Sequence, residues 1–180
     1  MGKVYEGITG SLKTWLYAQK VFFVATAPHA PNGHINCSPK GGESFRVIDE
    51  HTVAYQDMTG SGIETVAHLR ENGRIVLMFC AFEGPPKIVR LHGIGTSVVA
   101  GDPHFDELRG TFPDRPGLRS IIQIKVNRVS DSCGFGVPFM AFQGSRDDLD
   151  RWAESKSDSA LEAYRRDKNA VSLDGLPGMV

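Results

Sequence analysis

The chain predicts a mainly β, α+β fold: a six- to seven-stranded antiparallel barrel with peripheral helices and a C-terminal helix. Three observations predict it. Strand-length apolar or alternating segments recur from Val21 to Ser130, divided by short turns rich in Gly, Pro, Asn and Asp. Their order suits antiparallel hairpins, and helical spacing is confined to a few short stretches. Gly93 and Gly95 interrupt the longest strand, where a curling sheet needs a bulge or a bend.

Ser11 to Gln19 opens the chain as a short amphipathic helix, with Leu12, Trp15 and Leu16 on one face. Val21 to Ala27 (VFFVATA) is β-branched and aromatic throughout, which suits a buried strand. Pro28 to Gly33 turns it into a return strand, His34 to Ser38. Ser44 to Ile48 and Thr52 to Gln56 form a second hairpin around Asp49-Glu50-His51, and a helix from Ser61 ends at Asn72, with Gly73 as its cap. Arg74 to Phe82 and Lys87 to Val98 are long strands joined by Glu83-Gly84-Pro85-Pro86. Asp102 to Gly110 reads as a short helix, and Arg119 to Ser130 alternates like a half-buried strand. After Gly144 the character changes: Asp147 to Lys168 is charged and helical, and Val171 to Gly178 is extended or irregular.

Composition narrows the function classes. With 180 residues, 41% hydrophobic and 23% charged, the chain is an ordinary globular domain, or one domain with a terminal appendage. A net charge of −1 gives no electrostatic footprint for nucleic acid or anionic lipid. Three cysteines, Cys37, Cys80 and Cys133, with no CxxC pair, argue against zinc and against a disulfide framework. No HExxH-like spacing supports a metal, and no Cys–His–Asp constellation supports a nucleophile, so no catalytic side chain is assigned. The start lacks a signal-peptide core, and no apolar run is long enough to span a membrane. A cytoplasmic protein is the expectation.

Two polar turns carry the chemistry. Asn36-Cys37-Ser38-Pro39-Lys40-Gly41-Gly42 and Asp57-Met58-Thr59-Gly60-Ser61-Gly62 each follow a strand. Hydroxyls, a lysine and free backbone N–H groups are what a phosphate needs, and glycine lets the backbone approach it. The second turn leads into a helix, so a phosphate at Thr59 to Gly62 would meet the positive end of a helix dipole. The bland alternative is two ordinary loops. Lys40 is either a ligand contact or a solvated lysine, and Arg90 faces either a ligand or the outside of its strand. His68 and His92 read as structural histidines, and Cys37 as a small hydrophobe.

The ordered set Phe22–Ala27, Ser38-Pro39-Lys40-Gly41, Tyr55-Gln56-Asp57, Thr59-Gly60-Ser61-Gly62, His68–Asn72 and Arg74–Phe79 resembles the pyridoxamine 5′-phosphate oxidase-like superfamily, the FMN-binding split β-barrels. The resemblance spans roughly Leu12 to Arg128. It implies FMN as cofactor, with Asn36, Cys37, Ser38 and Lys40 along the flavin, and Gln56 and Asp57 beside the ring. It further implies Thr59, Ser61 and Gly62 as the phosphate loop, with Arg46 or Arg90 as added cations. It implies a split-barrel domain over 1–144, with 145–180 a helix and tail packing on the barrel or on a dimer partner, and a homodimer with the flavin at the interface. Ser132 to Pro138 either meets the cofactor or is a turn into the last helix.

Two departures stand out. Gly62-Ile63 replaces the Arg-Lys pair that follows the loop's serine in the best-known members, and Met140 to Arg146 lacks the aromatic, arginine-rich segment that holds vitamin B6 substrates. The resemblance therefore implies an FMN-dependent oxidoreductase of some other small molecule, with a nicotinamide as a candidate donor. The alternatives are a non-catalytic flavin or haem carrier or sensor, and a deazaflavin-dependent reductase.

Overall fold

The computed structural model of the chain describes residues 2–179. Its strands are Val4–Tyr5 (β1), Val21–Thr26 (β2), Asn36–Gly41 (β3), Phe45–Asp49 (β4), Thr52–Met58 (β5), Arg74–Cys80 (β6), Ile88–Val98 (β7) and Leu118–Ser132 (β8). Its helices are Gly10–Ala18 (α1), Glu64–Asn72 (α2), Phe105–Arg109 (α3), Asp148–Glu154 (α4) and Asp158–Lys168 (α5). The strands form one antiparallel sheet in the order β3-β2-β6-β7-β8-β5-β4, with β1 added against β8. The α+β split barrel expected from the sequence is the fold. Its two edge strands, β3 and β4, follow one another in the chain yet do not pair. Gly42 and Glu43, both with positive φ (65° and 60°), reverse the chain between them.

Alternation builds the core. In β2, Phe22, Val24 and Thr26 face inward, and in β8 the inward set includes Ile122, Ile124 and Val126. Phe22 stacks on Phe79 with ring centroids 5.3 Å apart, and Phe45 meets Phe79 edge-on at 5.0 Å. Leu12 and Leu16 of α1 pack into the same cluster. The helix α2 is buried on successive residues from Thr65 to Leu69, so it plugs the barrel rather than lying on it. A smaller cluster, with Phe105, Leu108 and Phe112, covers Ala54 and Ile121 on the other sheet face.

The hairpins expected from the turns are all present: β2 with β3, β4 with β5, β6 with β7. The bulge expected near Gly93 is also present, as a register shift between His92 and Gly93 against β8. A Cβ at Gly93 would lie 2.2 Å from the Lys125 carbonyl oxygen, so only glycine allows the strands to close there.

Four expectations need correction. The segment from Ser38 to Gly41 is strand, not turn; as an edge strand β3 tolerates Pro39, whose missing N–H costs no inner ladder bond. The helix expected from Ser61 begins at Glu64, since Gly62 and Ile63 remain outside helical geometry. The single helix expected over Asp147 to Lys168 is two, because the Ser157 hydroxyl caps a fresh start by accepting the Ala160 N–H at 3.2 Å. Finally, β1 is an additional two-residue strand, too short to leave a periodic signal.

The C-terminal residues are bonded to the barrel along their length. Arg70 of α2 donates to the Gly178 carbonyl, and the His34 N–H to Asp174 at 2.8 Å. The Leu173 N–H donates to Glu64 at 3.2 Å, and Met179 packs on the main core.

Candidate binding site between β3 and the start of α2

A cavity of about 660 Å³ lies between β3, the end of β5, the loop 59–62 and the first turn of α2. Strand alternation aims Asn36, Ser38 and Lys40 at it from β3, and Gln56 and Asp57 close it from β5. The segment after Phe142 passes along its rim, contributing Phe142 and Ser145.

Asp57 is its electrostatic centre. The carboxylate is fully buried and accepts from Arg119 Nε at 2.7 Å, Ser120 Oγ at 3.2 Å and Lys40 Nζ at 3.3 Å. Burial pushes its pKa up, but Arg119 and Lys40 together outweigh burial and hold it below the usual aspartate value. Two cations on one carboxylate leave this wall positive. Lys40 keeps about a fifth of its side chain exposed, so its ammonium is within a ligand's reach.

The loop 59–62 is held from behind by the C-terminal residues. Thr59 Oγ donates to the Gly117 carbonyl at 2.8 Å and accepts from Arg165 Nε at 2.9 Å. Asn169, fully buried, donates to the Gly60 carbonyl at 2.9 Å while its own carbonyl oxygen accepts from Arg119 at 2.9 Å. Thr59 is thus buried and committed. What the loop offers a ligand is its Gly60 to Gly62 backbone. Glu64 bears on this: its carboxylate folds back to 2.5 Å from where a Gly62 Cβ would stand. An acidic first-turn residue already offsets the helix dipole, so the positive charge comes from side chains: Lys40 and Arg119 beside Asp57, with Lys20, Arg146 and the Asp150-paired Arg115 also in the lining.

Asn36 is fixed by a polar chain. Its Nδ2 donates to Thr65 Oγ at 3.0 Å and Thr26 Oγ at 3.2 Å, and its Oδ1 accepts from Ser38 Oγ at 2.9 Å. Thr26 Oγ in turn lies 2.9 Å from His68 Nδ1. Burial pushes the His68 pKa down and so favours the neutral ring beside Thr26. His68 is a structural histidine that orients a cavity residue.

Two buried polar atoms in this cavity, Gln56 Oε1 and Ser44 Oγ, have no partner among the described residues. Buried polar atoms are normally paired, so both point to a polar ligand. The lining includes no histidine, cysteine or tyrosine. Its ionisable lining is carboxylates, lysines and arginines, which suits recognition and charge compensation.

Of the residues singled out from the sequence, Asn36, Ser38, Lys40, Gln56, Asp57, Thr59 and Gly62 converge on this cavity. Cys37, Ser61 and Arg90 are not among its lining residues. Cys37 is exposed on the opposite face of β3, Ser61 is exposed on the loop, and Arg90 donates to Ser132 Oγ at 3.0 Å on β8. Arg46 spends its guanidinium on the carbonyls of Glu43, Phe45 and Thr111. Sequence reasoning missed Arg119, Ser44, Thr65 and Asn169. One signal existed: an aspartate ending a buried strand needs a cation, though nothing in the sequence says which.

Among the described residues no helix is long and apolar enough to cross a membrane, and no cluster of three potential metal ligands occurs. The family model described as pyridoxamine 5′-phosphate oxidase matches residues 8–133. The chain is 38% identical over 192 residues to the pyridoxamine 5′-phosphate oxidase family protein ustO of Aspergillus flavus, covering 97% of this chain and 77% of that protein. Among solved structures, HupZ of Group A Streptococcus shares the fold at a TM-score of 0.52 and 24% identity, over 68% of this chain and 91% of that one. A putative pyridoxamine 5′-phosphate oxidase from Lactobacillus delbrueckii does so at 0.53 and 14%, over 71% and 98%.

Proposed function

The chain belongs to the pyridoxamine 5′-phosphate oxidase family, and from that membership we propose that it is an FMN-binding oxidoreductase acting on a small molecule other than pyridoxamine 5′-phosphate. The observation that carries the reading is the cavity itself. At about 660 Å³ it falls within the roughly 300–1,000 Å³ of cofactor pockets, and it joins a positive wall to two unpartnered buried polar atoms.

The residues present fit the cofactor. Lys40 and Arg119, with the backbone N–H groups of Gly60 to Gly62, supply what a phosphate monoester needs in place of the missing Arg-Lys pair. Gln56 Oε1 accepts and Ser44 Oγ donates or accepts, which suits the polar edge of an isoalloxazine. FMN supplies the electron chemistry when bound. The chain's own tasks are then to hold the phosphate, fix the ring through the braced Asn36 and Gln56, and admit a second molecule past Phe142 and Ser145. A lining without histidine, cysteine or tyrosine agrees with that division of labour.

Vitamin B6 oxidation fits poorly. Pyridoxamine 5′-phosphate needs a second anion site, and Phe139 to Gly144 offers no cation. Of the further cations lining the cavity, Arg115 pairs with Asp150 at 2.6 Å, Arg146 has Asp148 at 3.9 Å, and Lys20 lies 5.6 Å over the Phe142 ring. Self-association into a two-fold dimer belongs to the same proposal. Phe135 and Phe139 are 83% and 84% exposed within one short segment, more apolar surface than a lone chain normally leaves in water.

The visible spectrum of the purified protein tests the reading first, followed by calorimetry of FMN against riboflavin. Tighter binding of FMN, and a flavin band that bleaches with a reduced nicotinamide and returns in air, support it. Equal affinity for riboflavin removes the phosphate assignment. A bound flavin that no donor reduces leaves a non-catalytic carrier. Steady turnover of pyridoxamine 5′-phosphate makes the protein a true vitamin B6 oxidase, and sedimentation of an FMN-loaded monomer at micromolar concentration ends the dimer.

A further inference from the structure

A second cleft, of about 500 Å³, lies between α2, the end of β7 and α5. Its apolar part is formed by Val66, Leu69 and Met179, and its cations are Arg70, Arg165 and Arg166. It shares no lining residue with the cavity described above.

Three guanidinium groups face only two lining carboxylates here, Asp102 and Glu162. Asp102 already accepts the Val99 N–H at 2.8 Å, and Glu162 sits 3.7 Å from Arg166. Arg70 donates to the Gly178 carbonyl. Arg165 is the exception. It is half-buried, donates to Thr59 Oγ at 2.9 Å and the Leu118 carbonyl at 3.2 Å, and forms no ion pair with a carboxylate of the described residues. Burial first and the like-charged Arg119 second lower its pKa, against the weaker opposing pull of Glu162 and Asp158, neither within ion-pair distance of it. A guanidinium withdrawn from water beside another guanidinium calls for an anion. Ser97 supplies a second, independent sign: its hydroxyl is buried, lines this cleft and has no partner among the described residues.

We propose that this cleft binds an organic anion, an apolar body bearing a carboxylate, with Arg165 as counter-charge and Ser97 as hydrogen-bond donor. The apolar lining and the volume ask for more than an inorganic ion, since the space matches a small organic ligand. The two sites share no lining residue, though Arg165 also braces Thr59 on the first cavity's loop.

Octanoate is the probe, titrated by calorimetry into the 180-residue chain, with octanol as the uncharged comparator. Octanoate binds one per chain, and octanol binds at least tenfold more weakly. Arg165→Gln and Ser97→Val each weaken octanoate at least tenfold, while Lys40→Ala, in the first cavity, leaves it unchanged. Far-UV circular dichroism and a cooperative urea transition certify each variant; if Arg165→Gln does not fold, Arg166→Gln and Ser97→Val carry the comparison. No binding by the wild-type protein overturns the proposal, as does octanol binding equally well. Loss of binding in Lys40→Ala places the anion in the first cavity and overturns it too. Binding seen only when the C-terminal carboxylate is amidated makes the chain's own end the occupant, with the same consequence.

Discussion

The segments Asn36–Gly42 and Asp57–Gly62 are both short, polar and rich in glycine, yet they fold differently. The first is a regular edge strand in register with β2, from Thr26 opposite Asn36 to Val21 opposite Gly41. The second shifts register at a bulge between Asp57 and Met58, ends its ladder at Met58 opposite Leu118, and then runs free of strand partners to Gly62. Composition supplied the chemistry in both; the neighbouring strand decided the geometry. A strand presents side chains, alternately inward and outward, so Asn36, Ser38 and Lys40 reach the cavity and Cys37 does not. An irregular loop presents backbone, and has to be held by contacts from elsewhere, here Arg165 and Asn169.

Asp57 joins the two segments, and changing it has the largest expected effect. Asp57→Asn leaves Arg119 and Lys40 facing a neutral amide in a buried site, the kind of change that costs about 3–5 kcal/mol. Urea unfolding at neutral pH checks it; a loss under 1 kcal/mol would mean that the two cations find other partners. The same residue gives a pH signature. Its folded pKa lies below the unfolded value, so its contribution is fully present above the unfolded aspartate pKa, about 3.9, and is lost as pH falls below that through the folded value. Urea midpoints measured from pH 6 down to pH 2 should fall in the wild type more steeply than in Asp57→Asn. Parallel curves would remove Asp57 from the acid limb.

Lys40 tests the strand side. If its ammonium reaches a phosphate as proposed, Lys40→Ala weakens FMN binding by about 1.5–3 kcal/mol, the scale of a charge-assisted hydrogen bond. Calorimetry reads this directly. An unchanged dissociation constant would leave Lys40 as a partner of Asp57 alone.

Asn169 tests the loop side. Asn169→Ala leaves the Gly60 carbonyl and Arg119 Nη1 only their long mutual hydrogen bond of 3.4 Å in a buried place, at a cost of about 1–3 kcal/mol. Hydrogen exchange sharpens the contrast: the amides of Thr59 to Gly62 should exchange faster in the variant, and those of Asn36 to Gly41 should not. Equal acceleration in both segments would show that the tail braces the whole cavity.

How much of this was legible depends on sequence distance. The hairpins were readable because turn residues lie beside the strands they join, and the core because alternation is local. The return strand was readable to Ser38 but not its continuation to Gly41, since Pro39 and Gly41 argue against a strand and only the edge position next to β2 permits one. Asp57 was readable as a site residue, but Arg119 lies 62 positions away and Asn169 a further 50 from Arg119. The break at Ser157 was readable in principle, as a serine followed by a first-turn aspartate is a capping signal.

The smallest expected effect isolates the alternation itself. Cys37 and Ser38 are adjacent, similar in size, and on opposite faces of β3. Ser38 Oγ holds the Asn36 amide at 2.9 Å, whereas no hydrogen bond from the Cys37 side chain is found among the described residues. Cys37→Ala should change stability by less than about 0.5 kcal/mol, as surface substitutions do. Ser38→Ala should cost more, about 0.5–1.5 kcal/mol for a neutral hydrogen bond, because it frees Asn36 to turn. Paired urea titrations of the two variants make the comparison within one experiment. If Cys37→Ala is the costlier change, that face of β3 is buried in solution, as it would be beneath a second copy of the chain.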